Sequence, residues 1–79
     1  MNNNWKGLSG KQWVVRMEVL AKQAVAAHIK KKNKQGDKYV KEATRAILTY
    51  IHDAEMQRNL KQIFKDTYAL EWNKKRSTT

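Results

Sequence analysis

Apolar residues recur along this chain at helical spacing, in three blocks separated by breaks in phase. In the first block Trp13, Met17, Leu20, Ala24 and Ala27 step by three or four, the repeat that puts side chains on one face of an α-helix. Val14, Ala21, Val25 and the edge residue Ile29 widen the stripe, while Arg16, Glu18, Lys22 and Gln23 occupy other faces. Upstream, Ser9 and Gln12 have the spacing of a capping box, in which the hydroxyl accepts from a first-turn amide and the glutamine reaches back to the cap. A first helix is predicted over about 10–32.

The second block is Val40, Ala43, Thr44, Ile47, Ile51 and Ala54, with Leu48 and Tyr50 on its flanks. Asp37 reads as its N-cap, and Glu42 adds negative charge near the positive end of the helix dipole. Between Ala54 and Met56 the phase slips, because the next stripe, Met56, Leu60, Ile63, Phe64, Thr67 and Leu70, cannot share a straight face with the one before. A turn or kink near His52 and Asp53 resolves the conflict, with Asp53 capping a third helix and Glu55 in its first turn. No glycine or proline enforces that break. The second and third helices are predicted over about 38–52 and 54–72.

Three helices with short connections predict an all-α fold, a small antiparallel three-helix bundle forming one domain over 1–79. Residues 1–8 read as a loose N-terminal arm whose Trp5 and Leu8 fold back onto the first helix, and 73–79 as a frayed basic tail. A chain of 79 residues buries only roughly 60 to 65% of its unfolded surface. Three helices therefore leave an apolar flank that self-association into a homo-oligomer would cover.

Charge changes the picture most. Lysine and arginine number 17 against 7 acids, a net +10, which favours a polyanionic partner. The stretch KKKNKQGDKYVK, Lys30 to Lys41, holds six lysines against the single Asp37, half of the net charge. Charge of that density faces water or an anion. Gly36 followed by Asp37 reads there as a stop and restart between helices, making the stretch an exposed positive turn. In an up-down-up bundle the end of the first helix, the start of the second and the end of the third share one pole. Lys30, Lys31, Lys32, Lys34 and Lys38 would then lie near Lys74, Lys75 and Arg76, with Tyr39 and Trp72 between them to stack on unpaired bases, and Lys41 completes the candidate binding residues. A continuous second and third helix would instead keep the two basic segments apart.

Other chemistry is sparse. There is no cysteine, and His28 and His52 are the only histidines, far apart in sequence. No metal site and no cofactor are expected. His28 reads as a solvated or capping side chain. Ser9 and Ser77 are the only serines, no glycine-rich phosphate loop is present, and Asp53 and Glu55, two apart, do not face one another. An enzyme is not expected. Lys22 and Gln23 interrupt the most apolar region, so no membrane span is expected. The opening MNNNWKGLSG lacks the basic-then-apolar order of a signal peptide, and the ending lacks a lipidation signal; a cytoplasmic location is expected.

One pair stands out from this background. Arg45 and His52, seven residues apart, would lie on nearly one face of a continuous helix, where they could bind a phosphate and assist proton transfer. In spacing the segment from Arg45 to His52 resembles the Arg-x(4–6)-His signature of HEPN ribonucleases, all-helical proteins whose paired protomers build a composite RNA-cleaving site. The resemblance covers these eight residues only, and Ala46 departs from the polar residue common after that arginine. It implies RNA cleavage through Arg45 and His52.

Two functional classes follow from the residues themselves. The first is a non-enzymatic protein binding nucleic acid, DNA or RNA, or a ribonucleoprotein through its lysine-rich turn and basic tail. Strong sequence specificity is not expected, since arginines, the best base readers, number only four and no helix-turn-helix pattern is present. The alternative is an inhibitor or adaptor, of the kind phages and mobile elements encode, docking its basic end on an acidic surface of a larger protein machine. Both use the same charges.

Overall fold

The computed structural model describes residues 5–77, with side chains for 5–76. Three α-helices make up the fold: α1 (Gly10–Ile29), α2 (Asn33–Tyr50) and α3 (Ala54–Ser77). No strand occurs among the described residues. The expected three-helix bundle is present, and α2 and α3 are separate helices.

The capping box forms as its spacing predicts. Gln12 N–H donates to Ser9 Oγ at 3.3 Å, and Ser9 N–H donates to Gln12 Oε1 at 3.0 Å. Leu8 and Trp13 occupy the positions of a hydrophobic staple, N′ and N4, and both join the core. Trp5 is buried as well. Its ring lies 4.9 Å from that of Trp13, with the Arg16 guanidinium 5.3 Å from its centroid.

Helix α1 is the spine. Its buried residues Trp13, Met17, Leu20, Ala21, Ala24, Val25 and Ala27 span an arc of about 160° at 100° per residue. That is wide enough to receive two helices, and the alanines let them come close. Accordingly α2 and α3 each pack extensively on α1 and touch one another little. The result is a flattened body of 39 × 24 × 17 Å with Met17, Ile47 and Val25 fully buried. Val15, Val19, Leu48 and Leu70 remain exposed.

The first connection differs from the expected one. α1 ends at Ile29 and α2 begins at Asn33, so Gly36 and Asp37 lie inside α2 and Asp37 is not its cap. The chain reverses over Lys30, Lys31 and Lys32 alone. Lys32 N–H donates to Ala27 C=O at 2.8 Å and Lys31 N–H to His28 C=O at 3.0 Å, the paired bonds of a Schellman ending. Lys31 takes the left-handed conformation, φ 63°, that this ending requires and that glycine usually supplies. The stop signal is therefore missing from the sequence, and the glycine that looked like one has another task. A Cβ on Gly36 would overlap the His28 ring, so glycine is what lets the start of α2 close against the end of α1.

The second break falls where the phase slip places it. Ile51 is extended (φ −107°, ψ 120°), and Asp53 caps α3 through Met56 N–H at 3.4 Å. Gln57 Nε2 donates to Ile51 C=O at 2.6 Å and ties the loop to α3. At the far end α3 runs to Ser77, beyond the expected limit of 72. Lys74, Lys75 and Arg76 lie in its last turn, where cations favour the negative end of the helix dipole. Among the described residues no helix is long and apolar enough to cross a membrane.

Candidate nucleic-acid interface

Three helices are clasped at one end by His28. Asp37 Oδ1 lies 3.1 Å from His28 Nε2, and the Tyr68 hydroxyl lies 2.6 Å from Nδ1. A carboxylate only accepts, so Nε2–H donates to Asp37, and in the neutral ring Nδ1 accepts the Tyr68 O–H. Burial raises the pKa of Tyr68, and the nearby negative charge of Asp37 raises it further. The phenol therefore stays protonated, as a donor to Nδ1 must. Carboxylate, imidazole and hydroxyl stand in series, with the Tyr68 O–H directed at Nδ1. The imidazole here ties α1 to α2 and α3, with its ring edge-on to Tyr68 at 5.8 Å.

One turn further along α3, Trp72 stacks on Tyr68, 6.0 Å between centroids and 11° between planes. Tyr68 is thus held beside the last turn of α1, and the stack continues along α3 to Trp72. Lys30, Lys31 and Lys32 are exposed in the α1–α2 connection, and Lys74, Lys75 and Arg76 are exposed in the last turn of α3. Lys74 Nζ is 3.7 Å from Glu71.

The two aromatics expected between these cations are partly committed to the fold. Tyr39 is half-buried against the core, and its hydroxyl accepts from Gln35 Nε2 at 3.1 Å. It also lines a small depression of about 190 Å³ with Gln23, Lys30, Lys32 and Gln35. That volume is below the roughly 300 to 1,000 Å³ of ligand pockets, and suits one anionic group better than a whole ligand. Trp72 is half-buried by its stack on Tyr68.

Lys34, Lys38 and Lys41 belong to the exposed side of α2. Arg45 continues their series, one turn beyond Lys41. The sequence pairs Arg45 with His52 as a phosphate-binding couple and does not group it with the lysine turn. A start at Asn33 makes the 4-3-4 spacing of Lys34, Lys38, Lys41 and Arg45 a single helical stripe. His28, Asp37 and Tyr68 were also not recognisable as a group, being 9 and 40 residues apart.

Arg45 and His52 do not share a helical face. α2 stops at Tyr50, and His52 is exposed in the irregular connection to α3. The seven-residue spacing therefore does not bring guanidinium and imidazole together in the way a continuous helix would. Among the described residues no group of three or more His, Asp or Glu side chains is arranged to hold a metal ion.

No protein-family model matches the chain, and no curated protein and no solved structure is significantly similar to it.

Proposed function

We propose that this chain is a small non-enzymatic protein that binds nucleic acid, free or within a ribonucleoprotein, at its lysine-bearing pole and without strong sequence specificity. The observation that supports this most is the His28 clasp. Through Tyr68 it ties α3 to the last turn of α1, which supports a reading in which the two basic segments, distant in sequence, share one pole.

Two local features add support. Lys31 keeps a side chain in a left-handed conformation where glycine would fit with less strain, which is understandable if its charge is used. The start of α2 has no side-chain cap and no acid in its first turn, yet carries Lys34 there. Positive charge at the positive end of a helix dipole is unfavourable until an anion meets it.

The test is the salt dependence of binding to a fluorescent duplex. If about five phosphates are neutralised, log K falls with log salt at a slope of about −4 to −5. A slope near zero, or no binding of either a duplex or a single strand at low salt, refutes the proposal. Retention of one acidic protein partner after nuclease treatment, with no affinity of the purified chain for nucleic acid, would favour the adaptor instead.

A further inference from the structure

On the side of α2 turned away from α1, Lys34, Lys38, Lys41 and Arg45 recur at intervals of four, three and four residues. At 100° per residue the four fall within an arc of about 60°, nearly opposite the buried Gly36, Ala43 and Ile47, and extend about 16 Å along the axis. The stripe is bordered by acids. Asp37 lies about 70° to one side of its midline and Glu42 about 70° to the other. A solvent-open depression of about 800 Å³ extends over this face. Its lining takes in the four cations and, toward the end of α2, the aromatic residues Trp5 and Tyr50.

We infer that this stripe is the track of a single nucleic-acid strand, which leaves the lysine connection and runs along α2 with its phosphates on Lys34, Lys38, Lys41 and Arg45 and a base against Tyr50. The inference rests on the proposed nucleic-acid function and narrows it to single strands. A helix inserted into the major groove of a duplex has a phosphate backbone on each flank, and on α2 those flanks carry Asp37 and Glu42. One line of phosphates can follow the four cations along the midline, with Asp37 and Glu42 at the two edges of the same depression. An acidic protein helix could satisfy the charges as well, but the cations followed by an aromatic end match a strand, whose phosphates meet the one and whose unpaired base stacks on the other. Tyr50 is half-exposed and available for this, while Trp5 is almost wholly buried and forms the floor beside it.

The test uses the full chain and labelled oligo-uridylate of about twelve nucleotides, within the usual range of single-strand sites, beside a duplex and an abasic strand of equal length. The triple variant Lys38→Glu, Lys41→Glu, Arg45→Glu is compared with Lys30→Glu, Lys31→Glu, Lys32→Glu. All six positions are exposed, and an alanine triple at 38, 41 and 45 serves if the glutamates disturb folding, as read by circular dichroism. Expected are a loss of about tenfold or more in single-strand affinity for the α2 variant, a change below about threefold for the duplex, and abasic strand binding weaker by about fivefold or more. If the α2 variant binds the single strand as the parent does while the variant at 30–32 loses it, the track is refuted and the nucleic-acid function stands. Equal weakening of duplex and single strand refutes the single-strand assignment, and equal binding of abasic strand refutes the base contact. If the parent binds no nucleic acid, both proposals fall.

Discussion

Replacing Gly36 by alanine probes the contact on which the bundle closes, because local and tertiary effects there oppose one another. Within an α-helix the substitution is favourable by about 0.8–1.0 kcal/mol. At this position, however, the new methyl group would overlap the His28 ring, with even the more distant Cγ only 2.8 Å from the ideal Cβ. Ordinary contact requires 3.4 Å or more, so the ring must move, and its bonds to Tyr68 at 2.6 Å and Asp37 at 3.1 Å move with it. A neutral hydrogen bond contributes about 0.5–1.5 kcal/mol and one to a charged group about 1.5–3. Losing most of both outweighs the gain in propensity, for a net destabilisation of about 1–3 kcal/mol. In a domain of this size that lowers Tm by at least about 5 °C. The decisive measurement is a double-mutant cycle by thermal and urea unfolding followed at 222 nm. In a His28→Ala background the obstacle is gone, and Gly36→Ala becomes stabilising by about 0.5–1 kcal/mol. An effect of the same sign and size in both backgrounds would refute the account of Gly36.

The remaining predictions concern the turn and the clasp. Lys31→Gly relieves the left-handed strain at φ 63° and raises stability by about 0.5–1 kcal/mol, while lowering the salt slope of nucleic-acid binding by about one; a destabilised variant in urea titration would contradict the turn assignment. Tyr68 has a pKa above its ordinary value of 10.0, through burial and Asp37, so the folded state holds that proton more tightly than the unfolded chain. Its contribution is complete below about pH 10 and is lost as pH rises through the raised value. The stability difference between the parent and Tyr68→Phe should shrink in unfolding experiments above pH 10, and a difference that widens there would reverse the sign of the argument.

Local information in the sequence determined the three helices and the starts of α1 and α3. The three apolar stripes, the Ser9–Gln12 box and the phase slip before Met56 each depend on residues within a turn or two of one another; the box and the break form as their spacing implies, and the stripes mark the packed faces except at Thr44, Ala54 and Leu70, which are exposed. Composition likewise showed the concentration of lysine between residues 30 and 41. What only the tertiary structure decided is how that concentration is divided. Asp37 looked like a cap and Gly36 like a stop because both are common in those roles, yet the close approach of the His28 ring, from a residue eight positions earlier, explains the glycine, and hydrogen bonding to the same ring engages Asp37. The turn contracts to three lysines, and the others become a stripe on α2 that includes Arg45. The attachment of α3 to the last turn of α1 involves a bond between residues 40 apart, His28 to Tyr68. Helical periodicity is written in neighbours. The meeting of three helices on one imidazole depends on packing angles and on the wide apolar arc of α1, which no local pattern encodes.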